Sequence, residues 1–233
     1  MIFAENPKKI RVMFTPFRDG LQSSFGGKVR LNDFLPAMEL AAQSGIQHFE
    51  FGGGARFQAP LFYLGENPFE CMRTIRKTVG PDADLQILTR SVSGVTLTTQ
   101  SPEGLALQGK MMAAAETTWD RNFDYMNDVR NLLKTGKPIV EAGMHHQCVI
   151  ALMGLPFESD TVHTSEFYFN IGKQILAFHE SGECRVDSLC LKDASGTTDP
   201  MTIYKTAVEL KKIMPPEMPL WMHTHDTAST AVS

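Results

Sequence analysis

The chain has 233 residues, 42% of them hydrophobic and 21% charged, with a formal net charge of −4. These values are typical of a globular protein with one large domain or two small ones, and the lack of a basic block argues against nucleic acid as a partner. No apolar run reaches the length of a membrane span and no signal-peptide core follows the first residues, so we expect no direct membrane insertion and a cytoplasmic location. Four scattered cysteines without a Cys-x-x-Cys pair are typical of reduced thiols.

Short apolar runs that predict β-strands alternate along the chain with longer helical patterns. Three helices begin at cap-plus-proline signals, Asn67-Pro68, Ser101-Pro102 and Asp199-Pro200. Glycine marks the predicted ends of others, among them Gly136 after a helix that starts near Asn127. Strands are predicted over 10–15, 48–51, 85–89, 117–123, within 138–150, and over 187–192 and 219–224; helices are predicted over 32–44, 67–79, from 101, and over 127–134, 165–180 and 199–213.

Seven βα-type units with no break in composition predict a single α/β domain with a parallel sheet. Eight such units close a (β/α)8 TIM barrel, which typically needs about 250 residues. We therefore expect residues 1–233 to form one TIM-barrel domain that is incomplete at the C-terminus and ends after its seventh strand. A doubly wound open sheet is the alternative, but no Gly-x-Gly-x-x-Gly follows the first strand. The run Gly52-Gly53-Gly54 fits a tight turn better than a phosphate cradle, because no Gly-Lys-Ser/Thr follows it.

A His-x-His pair, His223 and His225, lies in the run LWMHTHDTAS. On a β-strand, residues i and i+2 point to the same side, so the two imidazoles can hold one metal ion together. Asp19 in FRDGLQS and Lys192 in LCLKDASG also follow apolar, strand-like runs. Because function in a barrel collects at the C-terminal ends of the strands, we expect these side chains at one rim. One carboxylate and two imidazoles would form a divalent-metal site with open positions for a substrate.

The three motifs FRDGLQS, LCLKDASG and MHTHDTAS resemble the carboxyltransferase domains of biotin-dependent pyruvate carboxylase and oxaloacetate decarboxylase. These enzymes are part of a wider group of metal-dependent barrels that includes HMG-CoA lyase and isopropylmalate synthase. RDG-x-Q and His-x-His are shared across the group, whereas Lys-Asp-x-x-Gly is more specific because the lyases and synthases lack that lysine. The stretches EFGGGARFQ (50–58), FDYMNDVRNL (123–132) and TSEFYFNIGKQIL (164–176) extend the resemblance. It is closest to the pyruvate carboxylases in which the carboxyltransferase is a polypeptide separate from the biotin carboxylase.

The resemblance implies a metal site. Asp19, His223 and His225 would bind Zn²⁺, Mn²⁺ or Co²⁺, and Lys192 would be a fourth ligand in its N-carboxylated form. The carbamate turns a cation into an oxygen donor, which removes the repulsion that a protonated lysine would meet beside a dication.

The resemblance also implies substrate contacts. Arg90 would grip the keto-acid carboxylate with its planar fork, and Gln22 would hydrogen-bond the carbonyl oxygen. Gly53 and Gln58 would lie on the substrate and biotin side of the pocket. Two positions depart from the commoner pattern, since Gln58 replaces an aspartate and Leu97 a tyrosine, and 2-oxoglutarate is therefore an alternative substrate.

An enzyme of this kind moves a carboxyl group between carboxybiotin and pyruvate or, in reverse, decarboxylates oxaloacetate. The chain has no Met-Lys-Met biotin attachment motif, so biotin would arrive on a carrier domain in trans, and the proton-shuttling threonine would lie beyond the chain's last residue. The implied partners are a biotin carrier protein and biotin carboxylase or decarboxylase subunits, in a homodimer. Two other classes stay open: an acyl-CoA lyase or synthase on the same barrel, and a non-catalytic barrel that serves in such an assembly.

Overall fold

The computed structural model describes residues 10–155, 162–229 and 231–232. The chain forms two compact units, residues 1–86 and 87–233. The single-domain organisation therefore stays a prediction. Within the described residues, no helix is long and apolar enough to cross a membrane.

The N-terminal unit opens with a π-helical turn and then alternates short and long helices with strands. Its elements are the turn Pro16–Gly20, α1 Leu21–Phe25, α2 Leu31–Gln43, β1 His48–Gly52, α3 Ala55–Ala59, a π-helical turn Pro60–Leu64, α4 Pro68–Val79 and the first half of β2 Asp84–Thr89. The predicted start of α4 is confirmed, because the Asn67 side chain accepts a hydrogen bond from the Phe69 N–H at 3.0 Å.

The strand predicted over 10–15 is wrong, because only Phe14 makes a bridge. Phe14 pairs in parallel with Phe49 of β1 and shares hydrogen bonds with the residues on either side of it. The residues before Phe14 do not extend the ladder, and the Ile10 and Val12 side chains are 74% and 60% exposed. The apolar alternation thus predicted a strand where two of the apolar side chains, Ile10 and Val12, are exposed and do not pack on a sheet face.

The C-terminal unit alternates strands and helices. After the second half of β2 it contains α5 Pro102–Ala114, β3 Trp119–Asn122, α6 Val129–Glu141, β4 His145–Leu152, α7 Ser165–Glu180, β5 Ser188–Asp193, α8 Pro200–Ile213 and β6 Leu220–Thr224. The strands of this unit are hydrogen-bonded in chain order, and the β3–β4, β4–β5 and β5–β6 pairs are parallel. Six of the seven predicted strands are therefore confirmed, since β1 to β6 correspond to the second to seventh predictions.

The two faces of the β3–β6 sheet differ in chemistry. Residues that pair in register share a face, and alternate residues take opposite faces. Over most of β4 and β5 one face is apolar and packs on α7 and α8 through Cys148, Ile150, Leu152, Leu189 and Leu191. The other face carries buried polar side chains, Arg121, Gln147, Ser188, Lys192 and His223. Polar groups are buried in this way only where they have partners or a function, so this second face is the candidate functional face of the sheet.

The helix predicted to stop before Gly136 runs on to Glu141, so that boundary is wrong. Gly136 is a packing residue. A Cβ built on it would collide with the His146 ring and approach the Cys184 sulfur to 2.9 Å. Glycine is therefore present because α6 lies close to β4, and not because the helix ends there.

Gly136→Ala is expected to destabilise the protein by about 1–3 kcal/mol, the usual cost of an overpacked core. This outcome is opposite in sign to helix propensity, which favours alanine over an interior glycine by about 1 kcal/mol. Gly104→Ala in α5 is the matched control, since its Cβ would find the Ser101 oxygen at an ordinary 3.5 Å and should stabilise the protein. Urea denaturation of both variants measures the difference, and two changes of the same sign would contradict the packing explanation.

Candidate metal centre

The His-x-His pair lies at the end of β6. His223 is buried in the strand, His225 follows the strand's last residue, and their ring centroids are 5.3 Å apart. An ion about 2.1 Å from a ring nitrogen lies about 3.2 Å from that ring's centroid, so one ion can bind both rings at this separation. The two imidazoles therefore fit a divalent transition metal.

Lys192 lies beside His223 on the neighbouring strand. The two residues pair in register between β5 and β6, so their side chains share the polar face, and Lys192 is only 5% exposed. Its Nζ stands 5.3 Å from the centroid of the Phe123 ring. The structure thus brings together three of the predicted site residues, Lys192, His223 and His225, within the C-terminal unit.

Asp193 holds the loop that follows Lys192. Its carboxylate accepts hydrogen bonds from the Ser195 hydroxyl at 2.7 Å and from the Gly196 and Thr198 N–H groups at 2.8 Å. Burial raises the pKa of Asp193, but these hydrogen bonds outweigh it and hold the pKa below the usual carboxyl value. The Asp193 carbonyl also accepts the His225 N–H at 3.1 Å, so this residue fixes the backbone around the histidine pair.

Arg121 is a site residue that the sequence did not single out. It is fully buried in β3, its Nε donates to Gln147 at 2.6 Å, and its Nη1 lies 3.1 Å from Nδ1 of His223. Because an arginine can only donate, His223 Nδ1 is the acceptor in this contact, and a neutral His223 carries its proton on Nε2. The predicted strand over 117–123 is charged, and a buried charged residue in a sheet is expected to have partners, as Arg121 does.

A cavity of about 270 Å³ opens beside the ends of β5 and β6. Met222 lines it, and Met222 alternates with His223 along β6, so the cavity lies on the opposite face from Lys192 and His223. It is therefore separate from the candidate metal centre.

Asp19 and Gln22 lie in the N-terminal unit, one in the π-helical turn and the other in α1. The Asp19 carboxylate is buried 3.0 Å from Nη1 of Arg18, and the same Nη1 is 3.9 Å from the buried carboxylate of Glu50. The Gln22 Oε1 is buried with no hydrogen-bond partner among the described residues. A buried amide oxygen of this kind is costly unless it has a ligand or water as its donor.

Gly53 and Gln58 flank a tight turn after β1. Gly53 and Gly54 have φ values of +84° and +51°, so the predicted tight turn is confirmed and glycine is needed there. Between them and Gln58 lies Arg56, whose Nη1 donates to the carbonyls of Gly27 and Val29 at 3.1 and 2.8 Å. Gln58 is half-buried on α3, two residues beyond this anchored arginine.

Arg90 follows the last residue of β2 and is partly buried. Its Nη1 donates to the Thr96 carbonyl at 3.0 Å, and its N–H donates to the Gly94 carbonyl at 2.8 Å. The loop therefore closes back onto the arginine and limits where the guanidinium can point. Leu97, the position that departs from the commoner tyrosine, is 76% exposed just beyond this loop.

His146 is buried in a polar cluster on the helix side of β4. Its Nδ1 donates to the Arg185 carbonyl at 2.9 Å, and its Nε2 accepts from the Asn122 amide at 3.1 Å. Both ring nitrogens of the neutral form are thus satisfied, and burial lowers the pKa of His146 to about 4. The adjacent His145 is exposed on the opposite side of the strand and stacks on Trp119, with ring centroids 4.5 Å apart.

Asp120, on β3, is a second buried titratable group. It accepts a hydrogen bond from the Thr89 hydroxyl at 2.7 Å, and burial raises the pKa of its carboxyl to about 7. No charged side chain among the described residues contributes to this shift.

These two groups are expected to give opposite pH dependences of stability. Between about pH 4 and 6.5 the unfolded chain binds the His146 proton and the folded protein does not, so this term lowers stability as the pH falls, by up to about 3 kcal/mol. From about pH 3.8 to 7 the folded protein keeps the Asp120 proton, so that term lowers stability as the pH rises.

In the wild type the two slopes therefore oppose each other below about pH 6.5. Urea unfolding from about pH 4 to 7 measures each term. The free energy of unfolding of His146→Gln should fall as the pH rises, because only the Asp120 term remains. That of Asp120→Asn should rise with pH, because only the His146 term remains. His145→Gln is the exposed control. Parallel curves for the two buried-site variants would contradict these assignments.

No protein-family model matches the chain. It is 30% identical over 224 residues to a pyruvate carboxylase subunit of Methanocaldococcus jannaschii, and the match covers 95% of this chain and 37% of that protein. It is 31% identical over 228 residues to the 2-oxoglutarate carboxylase large subunit of Hydrogenobacter thermophilus, covering 97% and 33%. Among solved structures, the carboxyl transferase domain from Rhizobium etli pyruvate carboxylase matches with 25% identity and a TM-score of 0.83, over 95% of this chain and 36% of that one.

The predicted fold class is confirmed: the chain is an α/β protein that matches part of the TIM barrel of a carboxyl transferase domain. By sequence it is a homologue of pyruvate carboxylases and other carboxyltransferases, as the resemblance predicted. The chain spans about a third of the length of the first two curated relatives.

Proposed function

We propose that this chain is the carboxyltransferase part of a biotin-dependent enzyme that moves a carboxyl group between carboxybiotin and a 2-keto acid, with pyruvate and oxaloacetate as the pair. The position of Lys192 beside His223 is the main support for this proposal. Lys192 and His223 are both buried and pair in register on one polar sheet face, in a chain that aligns over 95% of its length with a pyruvate carboxylase subunit. A lysine beside a histidine pair distinguishes carboxyltransferases from the lyases and synthases of similar motif.

The proposed metal ligands are His223, His225, Asp19 and Lys192 as its carbamate. The spacing of the two imidazole rings and the burial of Lys192 support the part that β5 and β6 contribute. Asp19 is proposed as a ligand because it is the aspartate of the RDG-x-Q motif. A bound Zn²⁺, Mn²⁺ or Co²⁺ would supply positive charge that organises the site and stabilises negative charge on the substrate.

Arg90 and Gln22 are proposed to bind the keto acid, and Gly53 and Gln58 to lie on the substrate and biotin side of the pocket. The guanidinium can hold the substrate carboxylate with two parallel hydrogen bonds. The Gln22 side chain can donate from its amide nitrogen to the carbonyl oxygen, where charge develops as a proton leaves the adjacent methyl group. Both groups thereby favour the enolate form that attacks the carboxyl carbon.

The proposed partners are a biotin carrier in trans and biotin carboxylase or decarboxylase subunits. We further propose one carboxyltransferase domain over residues 1–233, a cytoplasmic location and a homodimer. Two relatives are named as subunits, of pyruvate carboxylase and of 2-oxoglutarate carboxylase, and these names support an assembly of several polypeptides.

Label exchange between keto acids tests the proposal. The protein that contains this chain is incubated with biotin, oxaloacetate and ¹⁴C-labelled pyruvate. Carboxyl transfer predicts label in oxaloacetate that depends on biotin, because the carboxyl group must leave one keto acid and join the other. Label that stays in pyruvate, with cleavage of acyl-CoA in a parallel incubation that contains it, would favour the lyase class.

A second substrate is favoured by one relative, the 2-oxoglutarate carboxylase large subunit at 31% identity. The same exchange with labelled 2-oxoglutarate and its carboxylated product separates the two. Faster biotin-dependent exchange with 2-oxoglutarate would reassign the keto acid while leaving the reaction type unchanged.

A further inference from the structure

A small cavity lies among β2, β3, α5 and α6, on the side of the sheet away from Lys192. Its volume is about 10 Å³, close to the room that one water-sized particle needs. Its polar lining consists of oxygen-bearing side chains, Thr89, Ser91, Asp120 and Thr135, together with the Gln108 amide. The remaining lining is apolar and comes from Leu105, Pro138 and Ile139, with the backbone of Gly109.

The cavity contains a carboxyl group with no countercharge. Asp120 is 1% exposed. Burial raises the pKa of its carboxyl, the Thr89 hydrogen bonds lower it, and no basic side chain of the described residues contributes. An ionised carboxylate in such a place is costly, so it either takes up a proton or binds a cation.

The oxygens around Asp120 have unused acceptor capacity. The Ser91 hydroxyl is buried, since the residue is 2% exposed, and it has no hydrogen-bond partner among the described residues. The hydroxyl protons of Thr89 and Thr135 are already donated, to Asp120 at 2.7 Å and to the Asn131 carbonyl at 2.8 Å, which leaves their lone pairs available.

Ser91 is also held in a left-handed conformation, with φ of +46°, which is rare for a residue other than glycine, asparagine or aspartate. Such a conformation persists only where the surrounding structure enforces it. Here it places a serine at the cavity, so a hydroxyl oxygen is kept where glycine would fit the backbone without strain.

We propose that this cavity is a binding site for a dehydrated, sodium-sized monovalent cation, held by Asp120 with the hydroxyl oxygens of Ser91, Thr89 and Thr135. Hard cations take oxygen ligands. One carboxylate balances one positive charge. The single-particle volume excludes a hydrated Mg²⁺, and Ca²⁺ normally takes about six to eight oxygen ligands.

Occupancy would stabilise the ends of β2 and β3. Ser91 directly follows Arg90, and Asp120 directly precedes Arg121, so the cation would link the two strand ends that present these arginines. The cation site lies apart from the metal centre, and its occupancy does not depend on carboxyl transfer.

Thermal unfolding of the protein that contains this chain tests the site. At about pH 8, above the raised pKa of Asp120, and at constant ionic strength, the midpoint is compared in sodium chloride, potassium chloride and N-methylglucamine chloride. We expect a saturable rise of about 2 °C or more in sodium over N-methylglucamine, with a smaller rise in potassium. Asp120→Asn should abolish the rise, and Asp82→Asn, which changes an exposed aspartate, should keep it.

Sodium-23 NMR provides a second measurement if Asp120→Asn does not fold. Wild-type protein should broaden the sodium signal at about pH 8 and lose this effect near about pH 5, where the carboxyl is protonated, and Ser91→Ala should weaken binding several-fold. Equal midpoints in sodium and N-methylglucamine would mean that the cavity holds only water. Equal midpoints would overturn the proposal. So would a potassium effect as large as that of sodium, or a sodium effect that persists in Asp120→Asn.

Discussion

Lys192→Met is expected to lower biotin-dependent carboxyl transfer by at least about a hundredfold, the scale seen when a group that stabilises developing charge is removed. Methionine keeps the length and apolar stem of the side chain, so the packing at this buried position should be preserved. The loss arises because a thioether cannot form a carbamate and so cannot supply an oxygen donor to the metal. Steady-state rates and metal content, measured together, check the prediction.

Metal affinity should fall in the same variant, by about 10- to 100-fold if Lys192 acts as proposed. Lys173→Met on α7 is the matched control, because Lys173 is exposed and distant in sequence from every proposed ligand. Wild-type activity in Lys192→Met would contradict a role for the Lys192 carbamate, even if the metal stayed bound.

Arg90→Gln is expected to raise the KM for the keto acid by about 10- to 100-fold, the value of a charge-assisted hydrogen bond pair to a carboxylate. The KM of Arg90→Lys should lie between those of the wild type and Arg90→Gln, since lysine keeps the charge but loses the planar fork. The measurement is initial rate against keto-acid concentration at saturating biotin.

Arg73→Gln is the control for this series, because Arg73 is exposed on α4. Arg90 also donates to the Thr96 carbonyl, so each variant's unfolding midpoint must be measured alongside. A loss of stability with an unchanged KM would show that Arg90 supports its loop and does not bind substrate.

Local signals in the sequence predicted most of the secondary structure. The cap-plus-proline starts of α4, α5 and α8 are confirmed, with Asn67, Ser101 and Asp199 each accepting a backbone N–H. These signals work because they satisfy donors that any helix start leaves open, whatever surrounds it. The strand over 10–15 failed because Ile10 and Val12 are exposed and only Phe14 of these residues pairs with β1. Gly136 failed as a helix end because its role depends on close packing against β4 and Cys184.

Sequence alone could predict the part of the candidate site that comes from one strand end. His223 and His225 are two residues apart, so strand geometry places them on one side. Lys192 was located by its motif, and the register then placed it beside His223. Neither Arg121 nor Asp120 was predicted as a site residue, because charged side chains are usually exposed and nothing local to this short strand marks them as buried. Only the partners on β2, β4 and β6 explain why they are buried, and those partners come from distant parts of the sequence.

Oxaloacetate decarboxylation by the protein that contains this chain, with and without added biotin, tests the proposed carboxyl transfer most directly. Because metal ions decarboxylate oxaloacetate slowly unaided, only the biotin-dependent increment counts. We predict an increment that disappears in Lys192→Ala. No increment in protein that binds one metal ion per chain would contradict carboxyl transfer on this substrate.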